Sequence, residues 1–112
     1  MTHRPKPRAG SLLIDRFAER VRARFPGAPP GEAARIARYA CARATERVGA
    51  LVGVDGYLDH AVELAVVAHL RHRFTRYERL LRDGHDREDA RALVQAEVIA
   101  LLRRWGADPH AA

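Results

Sequence analysis

"HAVELAVVAHLRHRFTRYERLLRDG", residues 60–84, decides the fold of this chain. Its beginning, "AVELAVVAHL", is apolar nearly all round, and its continuation interleaves Arg and His with Phe, Tyr and Leu. No Gly or Pro interrupts it before Gly84. The spacing therefore predicts one helix over 60–83, with Asp59 as N-cap and Gly84 as the left-handed residue that ends it. At about 100° per residue, Val67, Leu70, Phe74, Tyr77 and Leu81 fall in one sector, expected to face the core. The opposite sector holds Ala61, Ala65 and Ala68, then His72, Arg76, Arg79 and Asp83. Arg71, Thr75, Glu78 and Arg82 lie on a flank, with Glu78 and Arg82 in the order that favours a surface ion pair. Such a helix anchors the fold at its start and displays positive charge later.

The remaining elements also read as helices. Leu13, Phe17, Val21 and Phe25 recur every four residues, and Ser11 is placed to cap a helix of about 11–25. "PGAPPGE" then breaks the chain, and Pro29, Pro30 and Glu32 suit the first turn of a second helix of about 31–47. Its apolar stripe is thin: Ile36, Ala40 and Ala44, with Ala33, Ala37 and Tyr39 beside it. "RVGALVGVDGYLD", with three glycines, reads as a structured loop. After Gly84, Asp86 with Asp89 resembles a capping box and opens a helix of about 87–105. Ala90, Val94, Val98, Leu101 and Trp105 carry its apolar face, with Leu93 and Leu102 beside it, and Gly106 stops it. The expectation is an all-α domain of four helices, the third and fourth forming an antiparallel hairpin. It occupies residues 11–112, behind a flexible basic tail over 1–10.

A length of 112 residues suits one domain with a modest core. No apolar run approaches the roughly 20 residues of a helical membrane span, so no membrane partner is expected. No signal-type apolar segment follows the basic start, which makes the cytoplasm the default. The lone Cys41, among alanines, excludes an internal disulfide framework and reads as a small buried filler.

The net charge of +6 suggests an acidic partner, nucleic acid first. Nineteen of the twenty basic residues are Arg, in a chain rich in Ala and Gly. That pattern reflects coding bias, so the Arg:Lys ratio is not evidence of recognition, whereas the net charge is. Residues 71–82 concentrate the charge, with five Arg against one Glu. Asp83, Asp86, Glu88 and Asp89 lie near enough in sequence to neutralise it. The candidate phosphate contacts are Arg71, His72, Arg73, Arg76 and Arg79, with Arg4, Lys6 and Arg8 of the tail.

Other chemistry finds less support. His69 and His72 have a spacing that can share a metal, but a structural zinc needs four ligands and only one Cys exists, so no metal is expected. His69 is instead expected to hydrogen-bond within the fold. Arg79 and His85 can be paired as phosphate clamp and proton shuttle of a small helical ribonuclease. No Gly-rich phosphate loop, nucleophile elbow or paired-carboxylate site occurs, and no cofactor is implied.

The stretches "FPGAPPGEAARIARYAC", "LAVVAHLRHRFTRYERLL" and "DREDARALVQAEVIALLRRW" together resemble a bacterial family catalogued as domain of unknown function 2293. The resemblance runs from about Phe25 to Trp105 and is sharpest in "AHLRHRFTRYERLL" with "DREDAR". It groups His69, Arg71, His72, Thr75, Tyr77, Glu78, Arg87, Arg91 and Trp105 as one signature. It implies no activity. It also sets His85 apart, at a turn position untypical of the family, which counts against the ribonuclease reading. Arg87 and Arg91 stand at the positive start of the last helix, where cations need an offset. If they reach back to Glu78 and Thr75, the signature is a structural clamp; otherwise an anionic ligand fills the role. The leading functional expectation is non-catalytic, sequence-tolerant nucleic-acid binding. The alternatives are a helical protein-interaction module, subunit or homo-oligomer, and the ribonuclease.

Overall fold

The computed structural model describes residues 9–51 and 57–106, with side chains over 12–42 and 58–106. The described chain is all helical: α1 Ala9–Arg24, α2 Glu32–Leu51, α3 Tyr57–Phe74, α4 Tyr77–Arg82 and α5 Arg87–Arg104. Arg4, Lys6 and Arg8 of the expected basic tail lie outside the described residues.

Five helices stand where four were expected, because the stretch over 60–83 is not continuous. It breaks at Thr75 and Arg76, between α3 and α4. The Thr75 hydroxyl donates to the Arg71 carbonyl at 2.5 Å and accepts the Tyr77 amide at 3.2 Å. A threonine side chain can compete in this way for backbone groups that a helix would otherwise pair. The break re-phases the apolar residues. Val62, Val66 and Leu70 are fully buried in α3, and Tyr77 and Leu80 are buried in α4. Phe74, placed in the core sector of an unbroken helix, is 41% exposed, and Leu81 is only partly buried.

The other boundaries shift as well. Helix α2 runs through Val48 to Leu51, into the segment read as a loop, despite Gly49. Helix α3 starts at Tyr57, so Asp59 sits in its first turn rather than at its N-cap. There its carboxylate meets Arg20 Nε at 3.2 Å and Arg24 at 3.9 Å, and Arg24 also pairs with Glu63, tying α1 to α3. Ser11 lies inside α1, which begins at Ala9, three residues before the position that a Ser11 cap would open. Asp86 does cap α5, its side chain accepting the Asp89 amide at 2.8 Å.

Two apolar clusters form. The larger joins Leu13, Phe17 and Val21 of α1, and Phe25 just beyond it, to Ile36, Ala37 and Cys41 of α2 and Val62, Val66 and Leu70 of α3. Trp105, just beyond α5, belongs to it. The smaller joins Tyr77 and Leu80 of α4 to Ala90, Val94 and Val98 of α5. Leu102 packs against both. The turn between α4 and α5 ends in a Schellman arrangement: Gly84 N–H donates to Leu81 O at 3.1 Å and His85 N–H to Leu80 O at 3.0 Å. Gly84 has φ +101°, as its position requires.

The end of α5 is fastened to the α1–α2 connection by Gly27 N–H donating to Trp105 O at 2.9 Å. A Cβ on Gly27 would lie 2.5 Å from the Arg104 carbonyl oxygen. Gly27→Ala must push two backbones apart and is expected to cost about 1–3 kcal/mol, read as a lowered urea midpoint at unchanged slope. Cys41 is 1% exposed, and burial pushes its thiol pKa up, which shrinks the thiolate fraction at neutral pH. A thiol reagent should therefore leave the native protein unmodified and label it stoichiometrically once urea unfolds it.

Candidate functional site

The signature residues gather where α3 ends, α4 turns away and α5 begins. His69 faces inward from α3, its Nε2 hydrogen-bonded to Glu32 Oε2 at 2.6 Å. This bond joins α3 to the first turn of α2, and both side chains are largely buried. The His69 ring also packs beside Phe74 (centroids 5.8 Å apart) and Trp105 (6.5 Å). Phe74 meets Trp105 edge-on at 5.8 Å, so the exposed Phe74 shields the tryptophan.

One turn on, His72 Nδ1 hydrogen-bonds Glu78 Oε1 across the break. The His72 ring stands edge-on to Tyr77 with centroids 5.0 Å apart. Arg71 is half-buried, its guanidinium carbon 5.7 Å from the centroid of the Tyr77 ring. Burial, and then the nearby charge of Arg91, lower the Arg71 pKa from its ordinary value, while Tyr77 opposes the change. Arg76 forms an exposed ion pair with Glu97, Nε to Oε2 at 3.5 Å. Arg73 and Arg79 are exposed on α3 and α4.

Among the described residues Arg87 and Arg91 form no ion pair with Glu78 and no hydrogen bond with Thr75; Glu78 Oε1 pairs with His72, and the Thr75 hydroxyl bonds the backbone at the break. Among the described residues, Arg71, Arg73, Arg79, Arg82, Arg87 and Arg91 make no ion pair. Asp86 is engaged as the α5 cap, and the neighbouring acids Asp83, Glu88 and Asp89 are exposed around the α4–α5 turn. No hydrogen bond or ion pair joins Arg79 to His85 among the described residues, and both are exposed. No cluster of three metal-ligating side chains occurs among the described residues, and none of their helices is long and apolar enough to cross a membrane.

The sequence matches the family described as "Uncharacterized conserved protein (DUF2293)" over residues 20–106. The chain belongs to the DUF2293 family. No curated protein and no solved structure matches it. The DUF2293 match spans α2 to α5 and the last residues of α1, so it contains the Thr75 break, the His69–Glu32 bond and the Trp105 anchor.

Sequence reasoning missed two acids, Glu32, which holds the signature residue His69, and Glu97, which pairs with the neighbouring Arg76, since neither lies near its partner in the chain. It also missed a cleft between α2 and α3. That cleft is lined by Arg35, Ile36, Tyr39 and Ala40 on one side and by Leu64, Ala65, Ala68 and Arg73 on the other. A signal existed: Arg35, Ile36, Tyr39 and Ala40 share one side of α2 at helical spacing. Tyr39 was assigned beside the apolar stripe, whereas it is 65% exposed.

Removing the Glu32 carboxylate leaves a largely buried imidazole without its acceptor. Glu32→Ala is expected to cost about 1–3 kcal/mol, measured by chemical denaturation. Removing Glu97, whose pair with Arg76 is exposed, should change stability by less than about 1 kcal/mol in the same assay.

Proposed function

We propose that this DUF2293 protein binds nucleic acid without catalysis, through phosphate contacts that tolerate any sequence. The observation that carries the reading is the run of arginines at the end of α3 and along α4 left without carboxylate partners. Arg71, Arg73 and Arg79 make no ion pair among the described residues. By contrast, Arg20 and Arg24 at the other end of α3 are matched to Asp59 and Glu63. An unmatched guanidinium retains its full capacity for a phosphate, and bidentate geometry favours Arg for that contact. Arg76 can join them, since its exposed pair with Glu97 holds it weakly. His72 is committed to Glu78 and is the least available of the set. No recognition helix with base-reading side chains is evident, so the contacts position a strand without reading it.

Titration of labelled duplex and single-stranded DNA and RNA at two salt concentrations tests the reading, with the full chain and with a chain lacking residues 1–8. Affinity should fall steeply with salt, by a slope of about 0.9 per neutralised phosphate on duplex DNA. The double variant Arg73→Ala/Arg79→Ala should weaken all sequences alike and reduce the slope by about 2. A complete lack of salt-dependent binding, or binding that vanishes with residues 1–8, removes the proposal.

A further inference from the structure

The cleft between α2 and α3 shares Arg73 with the phosphate-binding reading and adds Arg35 and an aliphatic floor that the reading does not use. It encloses about 590 Å³, within the range of roughly 300–1,000 Å³ typical of small-molecule sites. Its floor is aliphatic and smooth: buried Ile36, and partly buried Ala40, Ala65 and Ala68. The alanines keep the helix surfaces low, while Tyr39 and Leu64 stand up as rims, 65% and 58% exposed. Arg35 contributes a guanidinium from α2 and Arg73 one from α3. Neither makes an ion pair among the described residues. The polar groups at the α4 end are already satisfied: Glu78 also lines the cleft, but its carboxylate is held by His72, and His69 is held by Glu32.

We infer that this cleft binds a small amphiphilic organic anion, its aromatic or aliphatic body on the Ile36–Ala40–Ala65–Ala68 floor and its acidic group between Arg35 and Arg73. Each part of the occupant follows from one part of the lining. An inorganic anion gains nothing from an aliphatic floor that offers no donors. A neutral apolar molecule gains from the floor but leaves both guanidinium groups unanswered. A cation is repelled by both. A second copy of this chain docked cleft to cleft would bring four arginines together, which disfavours a symmetric dimer at this face. The carboxylate, sulfonate or phosphate head of an organic acid meets the two arginines by charge-assisted hydrogen bonds, while its body is withdrawn from water.

Anilinonaphthalene sulfonate supplies both parts and reports its own burial by fluorescence. It is expected to bind the full chain at one saturable site and to be displaced by dodecanoate. Dodecanol should displace it at least about tenfold more weakly, because it lacks the charge-assisted bonds. Inorganic phosphate should not displace it. Arg35→Gln/Arg73→Gln alters two exposed residues, so the fold is retained; it should weaken dodecanoate by about tenfold or more and leave dodecanol unchanged. Ala68→Leu fills the floor and should abolish binding of both, with helical circular dichroism confirming that the variant is folded. Several weak sites, equal potency of acid and alcohol, or a double-arginine variant that binds dodecanoate like the parent would each overturn the inference. So would displacement of the dye by oligonucleotide but not by dodecanoate. Arg73 belongs to both surfaces, so the preference for acid over alcohol, read in the absence of nucleic acid, is the result that separates this inference from the phosphate-binding reading.

Discussion

The Thr75 hydroxyl holds two backbone groups at once, the Arg71 carbonyl behind it and the Tyr77 amide ahead. That pair of bonds substitutes for helix continuation at one residue, and the arrangement of the polar end follows. Because the chain turns there, Tyr77 and Leu80 swing onto α5 and make a second apolar cluster with Ala90, Val94 and Val98. Because it turns there, His72 and Glu78 meet across the corner, although an unbroken helix would set them well apart in angle. Phe74 is left outside the core and becomes the cover over Trp105.

Charge is distributed along α3 in two regimes. Near its start, Asp59 and Glu63 answer Arg20 and Arg24 of α1, so cations and anions there serve to register two helices. Near its end, the acids are diverted to other tasks. Glu78 orients His72, Glu32 holds His69 and Asp86 caps α5. The arginines beside them are left facing water, and Arg71 is half-buried close to the like charge of Arg91. A fold that spends its local carboxylates on structure keeps cationic surface as a by-product, and both proposals above draw on that surplus.

Much of the scaffold was legible in the sequence because it rests on periodicity. Leu13, Phe17, Val21 and Phe25 are buried as their spacing implies, and Asp86, Gly84 and Gly106 mark ends by local backbone chemistry that needs no tertiary information. The Thr75 break was not legible, since "RFTRYERLL" contains no Gly or Pro and its apolar residues fit an unbroken helix nearly as well. A threonine hydroxyl can face solvent or bond the backbone, and the residues flanking Thr75 do not show which it does. Helix α2 overran Gly49, whose roughly 1 kcal/mol penalty is too small to stop a helix alone. In the site, the grouping of His69, His72, Thr75, Tyr77 and Glu78 could be read in advance, whereas their partners Glu32 and Trp105 come from 37 and 36 residues away. The cleft was hidden for the same reason: the α2 wall carries a helical spacing, but its opposite wall on α3 comes from about 30 residues further on.

Helix α5 belongs to both apolar clusters, its first half to the smaller one and its end, through Leu102 and Trp105, to the larger. The two bodies of apolar contact are therefore not thermodynamically equivalent. Among the described residues, the smaller holds five buried residues and the larger fourteen. The strut between them is capped by Asp86 at one end and fastened by the Gly27–Trp105 hydrogen bond at the other. The unmatched Arg79 and Arg82 of α4 and Arg87 and Arg91 of α5 stand beside the smaller cluster, whereas Arg71 and Arg73 stand on α3, whose Val62, Val66 and Leu70 belong to the larger one, so the cationic surface straddles the junction between the two.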